Sequence, residues 1–308
     1  MLKDTNLSPL LIAEIGGNHE GNFEYAKKLT QLAIDSGVDA IKFQIYTGDT
    51  LVSSVESPTR NQHFKKFELR QDQHIELAKM VRDAGRMYSA SVWDVDVLEW
   101  INPYISFYKI GSGDLTAYPV LKAIAQKRKP IVISTGLSTE NEVLDCVKYL
   151  ESIDEFYTKP ENLAVLQCTS MYPIRPEDAH LNVMKHFKEK YNWTVGYSDH
   201  TEGSYALEIA SAMGAEILEF HFTDTREDKS FRDHKVSLTC EEVQALIIRI
   251  SEIKQLQGNS EKKPLPIEIE NNHPTSFRRA VYPLRAIKKG EILNENNLTV
   301  LRPCTGID

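Results

Sequence analysis

Residues 194–222, TVGYSDHTEGSYALEIASAMGAEILEFHF, decide the fold. Two apolar runs of strand length, TVGYSDH and AEILEFHF, flank SYALEIASAMG, where apolar residues recur at helical spacing. A strand, a helix and a second strand at this spacing make one unit of a parallel sheet with a right-handed crossover. Toward the N-terminus the unit recurs. DAIKFQIY, RMYSASVWD, SFYKIGSGD, KPIVISTG and NLAVLQCTSMYP read as strands, and LLIAEIGGNHEG opens the series with a strand ending at Glu14. Helical stretches such as FEYAKKLTQLAIDSG, closed by Gly37, and QHIELAKMVRDAG, YPVLKAIAQKR and NEVLDCVKYLES lie between most of them. Eight strands alternating with helices predict an α/β protein, most simply a closed (β/α)8 TIM barrel, with an open doubly wound sheet as the other topology.

At 308 residues the chain has room for one large barrel and a small appendage. A net charge of −8 leaves no basic surplus for nucleic acid or an anionic membrane surface, so any anionic ligand must be held by local lysines. The four cysteines, Cys146, Cys168, Cys240 and Cys304, lack CxxC spacing, which argues against a disulfide framework or a thiolate zinc site and fits a reducing cytoplasm. Leu10 to Ile15 is too short, and broken by Glu14, to be a signal-peptide core or a membrane span.

The polar residues have a common address. Glu14, Lys42, Gln44, Asp94, Lys109, Ser112, Ser134, Thr169, His200 and His221 all fall at or just after the C-terminal end of an apolar strand. In a barrel those ends converge on the face where active sites are built. An ordinary loop explains Ser and Thr well but Lys42 poorly, because DAIKFQI sets a charge inside an apolar strand where desolvation demands a partner. Lys109 in FYKIGSG poses the same problem. Two such lysines beside IGSGD and STG point either to an oxyanion cradle or to a Schiff-base aldolase. His200 and His221 end successive strands, where two imidazoles can share a divalent metal and leave positions open. His234 follows in FRDHK.

Taken together, AEIGGNHEG, IKFQ, YKIGSGD, ISTG, QCTSMYP, GYSDHT and EFHFTD resemble, in this order, the sialic acid synthase (N-acetylneuraminate synthase) family, which condenses phosphoenolpyruvate with an amino-sugar aldehyde. The tail SFRRAVYPLRAIKKGEILNENNLTVLRPCTGID is similar to the start of that family's small antifreeze-like (SAF) domain. The resemblance implies a barrel over 1–257, a Pro- and charge-rich linker over 258–276 and an incomplete SAF domain over 277–308, since the chain stops at Asp308 where the family's domain runs on.

It also implies roles. His200 and His221 would bind a divalent metal, commonly manganese, with magnesium or cobalt as alternatives. Lys42 and Lys109, with Ser112, Ser134, Ser170 and Ser198, would hold phosphoenolpyruvate. Glu14 would position the water that adds at C2, and Glu14, Lys42, Lys109 and Asp114 form the expected catalytic set. Gln44, Asp114, Tyr172 and Asp233 would hold the sugar, and Arg302 would reach into a partner subunit's site in a domain-swapped homodimer. Asn18 and His19 would be structural.

Departures from the family pattern lie mostly on the sugar side. Its usual glutamate is Asp114, its STPF is Ser91, Val92, Trp93 and Asp94, its asparagine is Ser170, the basic residue before the second metal histidine is Phe220, and GPDH becomes Phe231, Arg232, Asp233 and His234. The expectation is a retained reaction with a shifted acceptor, of the N-acetylmannosamine or diacetamido-trideoxy hexose kind. A Schiff-base aldolase using Lys42 or Lys109, and a non-catalytic carbohydrate-binding relative, are the alternatives.

Overall fold

The computed structural model describes residues 9–306, so the last two residues of the expected tail lie outside the described residues. The chain divides into two units, one ending at Gln257 and the other beginning at Gly258.

The first unit is a (β/α)8 barrel. Its strands are β1 (Leu10–Glu14), β2 (Ala40–Ile45), β3 (Met87–Val92), β4 (Phe107–Ile110), β5 (Ile131–Ser134), β6 (Leu163–Cys168), β7 (Thr194–Asp199) and β8 (Ile217–His221). Each pairs in parallel with the next, and β1 pairs with β8 from Leu10↔Ile217 to Glu14↔His221, which closes the sheet and removes the open alternative. Local chemistry sets the helix ends. Asn22 caps the helix Phe23–Ser36 by accepting from the Tyr25 amide, and Gly37 ends it at φ 92°. Thr139 and Glu142 form a reciprocal capping box at the start of Glu140–Ile153.

Strand alternation separates two cores. Ile41, Phe43, Tyr88, Tyr108 and Leu218 face the helices, whereas Ile12, Ala40, Phe107, Val132, Ala164, Leu166 and Ile217 form a separate small cluster. Two residues further along each strand, on the same parity, stand Glu14, Lys42, Lys109, Ser134, Cys168 and Glu219. The barrel is therefore plugged with apolar side chains at one end and polar at the other, and register sets Glu14 level with both Lys42 and His221. Gly196 lets the lower layer close, because a Cβ there would lie 2.2 Å from the Ile217 carbonyl oxygen.

Two elements lie beyond the expectations. The crossover from β2 to β3 holds a helix, Pro58–Phe67, that periodicity does not signal, because its sequence PTRNQHFKKF buries only Asn61 and Phe67. The expected linker over 258–276 contains short helices at Pro266–Glu270 and His273–Ser276, the first begun by Pro266 with Glu268 accepting from the Leu265 amide. Beyond them β9 (Ala280–Pro283) and β10 (Leu298–Leu301) pair antiparallel. All four cysteines are free. Among the described residues no helix is long and apolar enough to cross a membrane.

Candidate active site

At the C-terminal end of the barrel a cavity of about 1060 Å³ opens, and thirteen of the residues expected from the barrel sequence line it: Glu14, Lys42, Gln44, Lys109, Ser112, Asp114, Ser134, Ser170, Tyr172, Ser198, His200, His221 and Asp233. Arg302 belongs to the second unit, where its Nε donates to the Phe277 carbonyl at 2.6 Å.

The floor is a buried quartet of charges. Lys42 Nζ lies 2.6 Å from Glu14 Oε2 and 3.7 Å from Glu219 Oε1, while Lys109 Nζ lies 3.8 Å from Glu219 Oε2. Lys109 also donates to Ser134 Oγ at 2.6 Å and to the Ile110 carbonyl at 3.1 Å. Ser198 Oγ donates to Glu219 at 3.4 Å, and Gln44 Nε2 donates to Glu14 Oε1 at 2.8 Å. Two ammoniums thus balance two carboxylates, which is the arrangement that makes burying either pair tolerable.

Burial raises the Glu14 carboxyl above its usual range, against the pull of Lys42. Burial also lowers the Lys109 ammonium, with Glu219 opposing it. Glu219 itself is held below the carboxylate range because Lys109 and Lys42 outweigh its own desolvation. The site is a cation pair whose charge is masked in the free protein and is available to an incoming oxyanion.

Glu219 was missed in the sequence. The signal is present, since AEILEFHF sets a charge inside an apolar strand just as DAIKFQI does, but it stands two residues before the strand-ending His221.

Above the quartet stand the histidines. Their ring centroids are 5.4 Å apart. His200 Nδ1 donates to the Thr169 carbonyl at 2.7 Å, which fixes the tautomer and leaves the lone pair on Nε2. The buried Nδ1 of His221 has no hydrogen-bond partner, and Asp233 Oδ2 lies 4.0 Å from it. Desolvation lowers both imidazoles below their ordinary range, His221 well below, so both are neutral at pH 7 and able to donate lone pairs. Among the described residues no group of three or more His, Cys, Asp or Glu side chains forms a metal cage. A pair of neutral imidazoles, one with an orphaned buried nitrogen, fits a divalent cation completed by water and substrate.

The wall formed by residues expected to hold the sugar is aromatic and partly cationic. Tyr172 packs its ring 4.0 Å from that of His200, and the Arg232 guanidinium sits 4.7 Å over the Tyr172 ring while its Nε lies 3.2 Å from Asp233 Oδ1. Trp93 joins the wall beside Asp114, whose carboxyl is raised by burial. Arg232 was noted only as a departure, yet it spans two residues expected to hold the sugar.

Three other expectations change. Asp94 is not in this cavity: it lines a separate one with Asp96 and Trp100 and accepts from the Asp96 amide at 3.0 Å, capping a short helical turn. Thr169 contributes its carbonyl, and its hydroxyl donates to the Asp178 carbonyl. His234 is structural, held between Thr223 Oγ1 at 2.7 Å and Glu20 Oε1 at 3.2 Å. Asn18 donates to the Phe222 carbonyl and to Ser237 Oγ, tying the first loop to the last strand.

Fold and site together define a (β/α)8 barrel with a buried lysine pair beneath a pair of imidazoles, an arrangement suited to a small oxyanion. The NeuB family model matches residues 29–262, and the chain belongs to the NeuB family, phosphoenolpyruvate-condensing synthases of nonulosonic acids. It is 33% identical to an N,N'-diacetyllegionaminic acid synthase of Campylobacter jejuni, over 97% of this chain and 91% of that protein. It is 32% identical to the human N-acetylneuraminate-9-phosphate synthase, over 94% and 82% respectively. The crystal structure of an N-acetylneuraminic acid synthetase from Leptospira borgpetersenii in complex with citrate superposes with a TM-score of 0.79 at 26% identity, covering 88% of this chain and 94% of that one. Family membership takes the place of the Schiff-base alternative.

Proposed function

We propose that the chain condenses phosphoenolpyruvate with an N-acylated amino-sugar aldehyde and water, releasing inorganic phosphate and a nonulosonic acid. The observation that carries this reading is the buried quartet, which sets two ammoniums and a carboxylate base within reach of one another beneath the histidine pair. Lys42 and Lys109, with Ser112, Ser134, Ser170 and Ser198, bind the carboxylate and phosphate of phosphoenolpyruvate, and the lysines exchange Glu219 for the substrate's charge as it enters. C3 of phosphoenolpyruvate bonds to the aldehyde carbon, positive character develops at C2, and water adds there. Glu14 accepts the proton of that water. Its raised carboxyl makes it a better base than an ordinary glutamate, and Gln44 orients it. The C2–O bond then breaks and phosphate leaves.

His200 and His221 hold a divalent cation, most simply manganese, which when bound supplies Lewis acidity toward the aldehyde oxygen. Tyr172, Asp233 and Asp114 orient the sugar. The second unit exposes Phe277, Leu284, Ile292, Leu293, Val300 and Leu301, an apolar surface suited to docking on a partner subunit and bringing Arg302 to that subunit's sugar site. The test of the bond order is phosphoenolpyruvate labelled with ¹⁸O in its bridging oxygen. The label is expected in released phosphate, and label retained in the sugar acid would contradict hydration at C2.

A further inference from the structure

The lysine cradle accounts for one anion, yet the cavity has a second cationic surface. The unexpected helix Pro58–Phe67 forms part of its outer wall, and Arg60, His63 and Lys66, three residues apart, share one face of that helix and line the cavity. Arg232 lines it from the loop after β8. His63 stands among them, its ring 4.4 Å from Phe67 and 5.8 Å from Phe231, and burial together with the charges of Arg232, Lys66 and Arg60 keeps it neutral.

The nearby carboxylates are engaged elsewhere. Asp233 is paired with Arg232 and Glu20 with His234, and among the described residues neither Arg60 nor Lys66 has an ion-pair partner. Arg60 and Lys66 thus present unpaired positive charge to the cavity on a chain of net charge −8, which calls for an anion. It does not serve the carboxylate and phosphate of phosphoenolpyruvate, which the buried lysines already match at the floor. Arg232 ties the wall instead to the acceptor side, through its stacking on Tyr172. At about 1060 Å³ the cavity sits at the top of the range of roughly 300–1,000 Å³ for small-molecule sites, so an acceptor longer than a bare hexose has room.

We propose that the acceptor carries a phosphate monoester at the end remote from its aldehyde, and that Arg60, Lys66 and Arg232 hold that phosphate at the outer wall. The inference rests on the synthase reading and names its substrate class. It is tested on the full chain with manganese, comparing N-acetylmannosamine, its 6-phosphate and a diacetamido-trideoxy hexose, in the wild type and in the double variant Arg60→Gln/Lys66→Gln. Both side chains are exposed, and the melting temperature checks that the fold is kept.

The expected result is a preference for the 6-phosphate in kcat/KM, and a rise of roughly tenfold or more in its KM in the double variant with the KM for phosphoenolpyruvate unmoved. Equal or better use of an unphosphorylated sugar overturns the proposal. So does a variant that raises the KM for phosphoenolpyruvate alike with every acceptor, since the wall would then only steer anions. Absence of turnover with any sugar counts against the synthase reading, and calorimetry then decides the wall separately. Binding of the 6-phosphate over the free sugar, lost in the double variant, upholds the phosphate site, and equal binding of the two sugars overturns it.

Discussion

Replacing Glu219 by Gln removes one charge from the quartet while keeping its volume. At 3.7 and 3.8 Å, with an effective dielectric near 20, each Lys–Glu219 attraction is worth about 4 kcal/mol before the cost of desolvating the carboxylate is subtracted. The variant leaves two buried ammoniums facing the single carboxylate of Glu14. Breaking a buried pair in this way costs about 3–5 kcal/mol, a large share of the stability of any domain. An anion that binds the two lysines supplies the missing charge. Urea denaturation at pH 7.5 should therefore show Glu219→Gln destabilised by about 3 kcal/mol relative to wild type, with inorganic phosphate or phosphoenolpyruvate stabilising the variant more than the wild type. A variant as stable as wild type, or one indifferent to phosphate, would refute the reasoning that Glu219 masks the lysine pair.

Three further outcomes are expected. His74 and His19 are buried, with burial pulling their imidazoles down to about 3 and about 4, so the unfolded chain takes up protons first as pH falls below the ordinary histidine value of 6.5. Stability should hold above that pH and drop by roughly 2 kcal/mol per histidine between pH 6.5 and 5, and His74→Phe should lose its share of the slope in denaturant titrations. Gly196→Ala forces a Cβ to within 2.2 Å of the Ile217 carbonyl oxygen and 2.6 Å of Leu166 Cδ2, and should lower stability by about 1–3 kcal/mol or more, read as a fall in melting temperature. Glu14→Gln should cut kcat by roughly 10²–10⁴-fold while phosphoenolpyruvate still binds, a split that steady-state kinetics and calorimetry together resolve.

The barrel was legible because its strands are apolar runs at regular intervals and its helices carry a clean 3.6-residue period. The site was legible for a related reason: Lys42 and Lys109 interrupt apolar strands, and desolvation makes such interruptions informative. Glu219 obeys the same rule and was passed over in favour of the histidine beside it. The helix Pro58–Phe67 was invisible because it buries only Asn61 and Phe67, leaving no apolar stripe to read. Asp94 shows the converse error. The backbone is still extended at Asp94, so alternation sets Ser91 and Trp93 on the main cavity and Asp94 on the opposite side, where its carboxylate caps a turn. Position at a strand end does not suffice without parity, since alternate residues there face opposite sides of the sheet.

The most direct test of the account is phosphate release from phosphoenolpyruvate by the full chain with manganese, with and without an amino-sugar aldehyde, using His221→Ala as the control. Release is expected to require the sugar, to form the nonulosonic acid in equal amount and to disappear in the variant. Sugar-independent release, or release that survives His221→Ala unchanged, would contradict it.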